Sequence, residues 1–528
     1  MQQYQSTLDD SKHKTWKSWF KSLLSFIGPG FMIAVGYLDP GNWATDLAAG
    51  SQFGYKLLFI IFLANLMAIL LQSLCIRLGV ITGLDLAQSC RKFLPRPLCY
   101  FLYVLCELAI MATDLAEVIG SAIALNLLTG IPLFWGIIIT AADVMVLLAG
   151  WNHKNFRIFE VFIMALVLIT AGCLFAVTVK SDPVIGDVLF GYLPSPTIIT
   201  NPDAVFLAVG IIGATVMPHN LYLHSSIVKY RANQNSENFE DEDFEIDNAS
   251  TMSDTQPLSR NISIPNTLSM SNTDSVMALL FALLVNSSIL IIAASNFYYN
   301  DKTDVAEIPD AYRLIREMLG YAFATLFAFA LLLSGQSSTI TGTMAGQIVM
   351  EGFLGGAIKL KPWVRRLVTR VLAIGPALIC ITYYGESRLN DLLILSQIIL
   401  SLQLPFAVWP LIYFTSSKGC MTIKFRSTHI EQDADFDIQT SPSTDIPLAI
   451  FDQNSFIPAS KESSNVDTTS VRSFEEVGIG LNTENKPVFI EKCYTNDTKT
   501  FVLAVIVGLM LTTFNCILLV QVATSGEK

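Results

Sequence analysis

Two stretches decide the fold: Ala34-Val35-Gly36-Tyr37-Leu38-Asp39-Pro40-Gly41-Asn42, and Ala208-Val209-Gly210 followed by Gly213-Ala214-Thr215-Val216-Met217-Pro218-His219-Asn220. Each lies in an apolar run long enough to cross a membrane. Each places Pro, one variable residue and Asn in mid-run, preceded by Asp in one copy and Met in the other. Proline deletes a backbone donor and collides with the preceding turn, so a helix unwinds at each point and leaves carbonyls free. Free carbonyls in hydrocarbon are costly unless they line a site. One such proline reads as an ordinary kink. Two, matched in place and flanked by Asp, Asn, Met and His, read as helix breaks at Pro40, Gly41 and Pro218 that build a binding site at the midplane.

Composition agrees with a membrane setting. Of 528 residues 52% are hydrophobic and only 15% charged, against ~25% charged in a soluble domain. The net charge of -11 excludes a nucleic-acid binder, which needs Lys and Arg to displace counterions. The nine cysteines show no CxxC or Cys/His grouping, so neither a disulfide framework nor a zinc site is indicated. Lys12, Lys14, Lys17 and Lys21 precede an apolar run that has no small-residue cleavage site, which reads as an uncleaved first span.

A bilayer core takes about 20 apolar residues as a helix. Eleven runs qualify, near 26–50, 57–76, 98–128, 131–149, 156–179, 203–229, 275–297, 319–350, 364–384, 389–415 and 499–523. The predicted fold is therefore all-α and integral to the membrane, with eleven transmembrane helices of which 1 and 6 are discontinuous. Those two open two sets of five, and an odd number per set makes the repeats inverted in topology. Placing the N-terminus in the cytosol puts 21 Lys and Arg of the tail and loops on that side against 7 opposite, with five in the last loop uncounted. The expected organisation is a cytosolic tail over 1–22, helices 1–6 over 23–231, an acidic insertion over 232–274, helices 7–10 over 275–415, a second insertion over 416–498, and helix 11 with the C-terminal tail over 499–528. Both insertions are polar and poor in apolar residues, and are expected to be disordered and cytosolic. Residues 232–259 hold eight acids and no base, and 427–498 hold thirteen acids and four bases. The acidity belongs to the insertions, and the rest of the chain is mildly basic.

Asp39, Asn42 and Met217, with carbonyls near Gly36 and Ala214, make a mixed oxygen and thioether donor set. A carboxylate at mid-bilayer implies a cation or proton to neutralise it. Sulfur favours softer divalent transition metals over Mg2+ and Ca2+, which prefer all-oxygen shells. Met217 alone would be packing filler; its place beside Pro218 makes it a candidate ligand. His219 and His224 follow the second break and titrate near neutral pH, although each alone could be a satisfied core histidine. Glu107, Asp114 and Glu117 are spaced seven and three on one face of the third span. They suggest a proton relay or a polar vestibule, with a structural pairing to Arg370 or Arg366 of the ninth span as a compatible reading. Asp143 and Glu160 read as span-end or interhelical contacts. Gln397, Ser401 and Gln403 complete a coordination shell or bond between helices.

These residues carry a family resemblance. Asp39-Pro40-Gly41-Asn42 with Asp46-Leu47-Ala48-Ala49-Gly50, and Met217 through Ser225, resemble the two signatures of the natural-resistance-associated macrophage protein (NRAMP) family, with further similarity at Ala112–Glu117 and Gln397–Pro405. The resemblance runs from about 24 to 415. It implies a LeuT-like 5+5 inverted repeat and proton-coupled transport of Mn2+ and Fe2+ as substrates, with no resident cofactor and no enzymatic activity. It implies metal binding at Asp39, Asn42, Met217 and the Ala214 carbonyl, and proton movement through Asp39, His219, His224, Asp114 and Glu117. Related magnesium carriers lack the methionine that stands here as Met217. Trp43-Ala44-Thr45 is more similar to the bacterial manganese carriers than to the animal proteins. The two insertions depart from the compact bacterial pattern, and point to a eukaryotic microbe and to cytosolic regulators as partners.

The expected function is thus a secondary transporter of divalent transition metals with protons, by alternating access, in the plasma membrane or an endosomal or vacuolar membrane. Two other classes stay open on residues alone: a sodium-coupled amino-acid-type symporter of the same fold, and a metal sensor that signals through its insertions. The topology predicts that the sequons at Asn248, Asn261 and Asn496 carry no glycan. Endoglycosidase digestion should leave the mass unchanged; a shift mapped to any of the three would overturn the orientation.

Overall fold

The structure is a computed structural model that describes residues 28–149, 156–240, 255–300, 307–355, 362–427 and 488–525. The first break is a stop and a restart rather than a kink. Helix α1 (Pro29–Ala34) tightens into a 3-10 turn, Val35–Leu38, and ends at Asp39, whose backbone is extended (φ -59°, ψ 159°). Helix α2 (Pro40–Phe53) then begins with proline at its first position, where the missing N–H has no partner to lose, and the Asp39 side chain caps it by accepting from Asn42 N at 2.9 Å.

Helices α3 (Leu58–Thr82), α4 (Leu86–Phe93), α5 (Arg96–Thr129), α6 (Leu133–Ala149) and α7 (Phe156–Lys180) complete the first set. Two short helices, α8 (Ile185–Gly191) and α9 (Thr197–Thr200), lead to α10 (Pro202–Thr215). It ends at Val216 (φ -102°, ψ 71°), and α11 (Pro218–Glu240) restarts on Pro218. After strand β1 (Thr255–Pro257) come α12 (Leu258–Asn296), α13 (Ile308–Met318), α14 (Tyr321–Leu354), α15 (Pro362–Tyr384) and α16 (Leu389–Ser416). The chain closes with α17 (Lys418–Met421), β2 (Thr422–Ser427), β3 (Val488–Cys493) and α18 (Thr498–Ser525).

Every one of the eleven expected spans falls on a helix, and both expected breaks interrupt one. Among the described residues eight helical segments are long and apolar enough to cross a membrane by length and composition, and Pro29–Leu38, Leu133–Ala142 and Ile374–Tyr383 are shorter apolar helices. The outer faces carry exposed Trp135, Phe175, Leu284 and Leu519, whereas Asp39, Asp46, Asp114 and Glu117 are buried. That inverted polarity is what a lipid surround selects.

Both insertions are narrower than expected. Helix α11 runs on to Glu240 and α12 starts at Leu258, so of 232–274 only 241–254 lie outside the described residues. The Ser/Thr/Asn composition hid a helical stripe: Ile264, Thr267, Ser271 and Asp274 are all buried, at spacings of three, four and three. In the second insertion α17, β2 and β3 are formed, and 428–487 lie outside the described residues, as does the 1–22 tail. The three strands make one sheet in the order β1-β2-β3, with β1 parallel to β2 and Thr255 opposite Lys424. They belong to a small unit, Ser250–Leu258 with Ile423–Lys492, distinct from the helical body.

Polar clasps pin the helix ends of the body. Asn496, one of the three sequons, donates from Nδ2 to Thr415 Oγ1 (2.9 Å) and Ser416 Oγ (3.2 Å), and its Oδ1 accepts from Arg77 Nη1 (3.3 Å). Next to it, hydrogen bonding from Thr500 holds the Asp497 carboxyl below the usual range. Asp85 caps α4 in a capping box with Gln88 and pairs with Lys229 of α11 at 2.9 Å. Asp274 accepts from Gly30 N (2.7 Å) and Gly28 N (3.4 Å), satisfying the free amides at the start of α1. Asp274→Ala should cost about 1 kcal/mol of stability, visible as a lower melting temperature of the detergent-solubilised protein; an unchanged melt would show that the cap is not structural.

Candidate functional site

The two breaks meet. Asp39 Oδ1 accepts from Asn42 N (2.9 Å) and Asn42 Nδ2 (2.6 Å), and the same Nδ2 donates across to the Ala214 carbonyl in the last turn of α10 (3.0 Å). One carboxamide therefore ties the restart of the first broken helix to the end of the second. Asp39 Oδ2 has no hydrogen-bond partner among the described residues.

Gln397 of α16 closes the site from a third side. A Cβ on Gly41 would stand 1.9 Å from Gln397 Nε2, so only glycine lets this side chain approach the start of α2. Gln397 Nε2 donates to Ser396 Oγ (2.9 Å), and its Oε1 has no partner among the described residues. Met217, fully buried, packs against Ala112 of α5 and Leu400 of α16. Gly36 lies buried in the 3-10 turn. An orphaned carboxylate oxygen, an orphaned amide oxygen and a buried thioether are donors without acceptor needs of their own, which suits a cation. Among the described residues no group of three or more His, Cys, Asp or Glu side chains gathers.

Three further side chains decide which carbonyls stay available. Asn286 of α12 donates from Nδ2 to the Tyr37 carbonyl (2.9 Å) and to Asn42 Oδ1 (3.3 Å). Trp43 Nε1 donates to the Leu38 carbonyl (3.1 Å), which also accepts from Ser334 Oγ of α14. Asn286 and Ser334 are missing from the residues singled out in the sequence, although a lone Asn in the apolar run Leu283–Ile291 was a signal for it. Asp46 of the first motif is a further buried acid. It is fully buried on α2, one helical face and two turns beyond Asp39, and neither carboxylate oxygen has a partner among the described residues.

The candidate proton carriers separate into groups. His219 is buried beside the second break, with Nδ1 unpartnered among the described residues. His224 is held elsewhere: its Nδ1 donates to Gln72 Oε1 (2.8 Å), and Gln72 Nε2 donates to the Tyr37 hydroxyl (2.9 Å). On α5, Asp114 and Glu117 are buried and Glu107 is only half-buried. Glu117 lies against Gly342 of α14. The side chains of Arg370 and Arg366 on α15, and of Asp143, lie outside the described residues. Glu160 pairs with Arg231 at 3.3 Å, the contact between helices that its position implied. Ser401 bonds to Asn515 of α18 in both directions, Oγ to Oδ1 at 2.9 Å and carbonyl to Nδ2 at 2.7 Å, which places it between helices rather than at the ion site.

Residues 30–430 match the family model described as natural resistance-associated macrophage protein-like. The chain belongs to the NRAMP family. It is 53% identical over 404 residues to the divalent metal cation transporter MntH of Xanthomonas campestris, covering 76% of this chain and 85% of that one. The MntH of a Nostoc species is 51% identical over 405 residues, covering 76% and 86%. The crystal structure of the Eremococcus coleocola manganese transporter, in complex with an aromatic bis-isothiourea compound, superposes with a TM-score of 0.70 at 32% identity, covering 95% of this chain and 87% of that one. The superposition agrees with the inverted repeat read from the two breaks and with the LeuT-like fold that the resemblance implied, and the NRAMP family is one of metal-ion transporters, not an enzyme family.

In this NRAMP chain Gly41→Ala should be overpacked by about 1–3 kcal/mol, lowering the melting temperature and weakening Mn2+ binding. Adding Gln397→Ala should restore the melt without restoring the binding. Recovery of both would show that Gln397 only packs.

Proposed function

We propose that this chain carries divalent transition-metal ions, Mn2+ and Fe2+, across its membrane together with protons, by alternating access. The observation that carries the reading is the bond from Asn42 to the Ala214 carbonyl, which joins both helix breaks beside the unpartnered oxygens of Asp39 and Gln397. The relatives named divalent metal cation transporters and the manganese transporter structure support it.

The chemistry follows from the donors. A divalent ion arriving in this buried site sheds water and gains Asp39 Oδ2, the Asn42 and Gln397 carboxamide oxygens and a carbonyl freed by a break. These oxygens alone would hold Ca2+ or Mg2+ as readily. The Met217 thioether, in the second break next to Pro218, is the donor that favours Mn2+ and Fe2+ over those hard ions. The ion's charge also drives off any proton on Asp39, because the carboxylate is stabilised by the cation beside it. His219, buried beside the second break, is a candidate to receive that proton, and Asp114, Glu117 and Glu107 on α5 offer a stripe of carboxylates towards the helix end. No nucleotide-phosphate loop is present in the sequence, so ion gradients and the membrane potential supply the energy. The reading places the N-terminus in the cytosol and the protein in the plasma membrane or an endosomal or vacuolar membrane, with the polar insertions open to cytosolic regulators.

In proteoliposomes with an inward proton gradient the protein should take up Mn2+ and acidify the lumen, and Asp39→Ala should abolish both. Met217→Ala should let Ca2+ compete about tenfold better, the equivalent of 1.4 kcal/mol. Uptake that survives Asp39→Ala would remove the site assignment, and an unchanged Ca2+ preference would remove the thioether argument.

A further inference from the structure

The inverted repeat makes a comparison inside the molecule possible. Pro40 removes the N–H that an unbroken helix would direct at the Gly36 carbonyl, and Pro218 removes the one meant for Ala214. In each break the freed carbonyl thus lies four residues before the proline, and an asparagine lies two residues after it: Gly36, Pro40 and Asn42 in the first, Ala214, Pro218 and Asn220 in the second. Asn42 reaches across to Ala214 O at 3.0 Å. The reciprocal reach, from Asn220 to the first break, is poised and not made. Asn220 Nδ2 stands 2.3 Å from where a Cβ on Gly36 would sit, which only glycine at 36 permits. Asn220 is 2% exposed, and its Nδ2 has no hydrogen-bond partner among the described residues.

A buried amide donor with no acceptor is costly unless another state satisfies it. The other carbonyls of the first break already have donors: Asn286 serves Tyr37 O, while Trp43 and Ser334 serve Leu38 O. Gly36, whose carbonyl Pro40 leaves without an α-helical donor, is the residue that Asn220 Nδ2 stands against.

We propose that Asn220 is a positioning residue for the transported ion, the counterpart of Asn42: it takes the Gly36 carbonyl in the state in which Asn42 releases Ala214. Each state then ties down one freed carbonyl and leaves the other for the ion, so the exchange of one asparagine bond for the other accompanies the change of access. The inference rests on the transporter reading above. It assigns to Asn220 a role in the conformational step, and leaves the ion's equilibrium affinity to Asp39, Asn42, Met217 and Gln397.

The test uses the full chain in proteoliposomes, with Mn2+ binding read separately by electron paramagnetic resonance. Asn220→Leu keeps the volume and removes the donor; Asn220→Asp keeps the shape and removes the donor. Both should lower the maximal Mn2+ uptake rate about tenfold, the loss of one hydrogen bond in the rate-limiting step, while Mn2+ binding changes by less than about threefold. Gly36→Ala should place a methyl group against the Asn220 carboxamide and impair both; Gly36→Ala with Asn220→Ala should recover binding and stay slow. Wild-type rates in both Asn220 variants, a parallel fall of binding and rate in the Asp variant, or a double variant as fast as wild type would each overturn the inference. If the wild-type protein itself moves no Mn2+, the transporter reading fails first; if it does and the variants match it, this inference alone fails.

Discussion

The structure depends on one carboxylate doing two jobs. Asp39 caps α2 with Oδ1 and keeps Oδ2 unpartnered in a fully buried position. A helix start inside a membrane leaves amides that must be satisfied, and a buried carboxylate needs donors or a cation. The Asp-Pro-Gly-Asn sequence meets both needs at once. Proline supplies a first residue with no donor to lose, Asp39 takes the Asn42 amide, and the remaining oxygen is available to a cation. Removing the proline alone would let the helix close over the site, and removing the aspartate would leave the restart uncapped.

Around that centre the chain sorts the carbonyls that the breaks expose. Tyr37 O and Leu38 O are taken by Asn286, Trp43 and Ser334, which come from α12, α2 and α14. Ala214 O is taken by Asn42. A break with all its carbonyls free would bind cations indiscriminately and cost several kcal/mol per unsatisfied group in hydrocarbon. Satisfying most of them from neighbouring helices makes the site small and specific, and it also couples the site to those helices. Any movement of α12 or α14 must change what Tyr37 and Leu38 offer.

Legibility followed the range of each signal. The breaks could be read because proline acts within four residues of itself, and the matching of Pro40-Gly41-Asn42 with Pro218-His219-Asn220 is visible in one dimension. Gln397 could be suspected as a polar residue in an apolar span, but its approach to Gly41 depends on how α16 packs, which no local pattern encodes. Asn286 is the clearest omission: a single amide in an apolar run gives no hint of which carbonyl it faces. His224 was legible only as a candidate proton carrier, and its bond to Gln72, which in turn bonds Tyr37, depends on helix packing that no local pattern encodes. Composition misled at Ile264–Asp274, where a polar average concealed a buried stripe at helical spacing.

The short helix before the first break has freedom to act. Helix α1 is six residues long, below the length at which a helix holds itself together in isolation, so its place is set by what grips it. Besides apolar packing such as Phe31 against Phe281 of α12, the grips are polar: Asp274 on the amides at its start, and Asn286 and Ser334 on the carbonyls of the 3-10 turn that ends it. Polar bonds of this kind can be exchanged for others at little net cost, because each donor and acceptor needs a partner but not a particular one. Helix α2, by contrast, has its own cap and fourteen residues. A motion that opens the site towards the N-terminal side of the bundle should therefore move α1 and leave α2 in place, with the extended Asp39 as the joint between them. If Asp39 binds the ion as proposed, the ligand is also the hinge, and occupancy of Asp39 and the position of α1 are not independent.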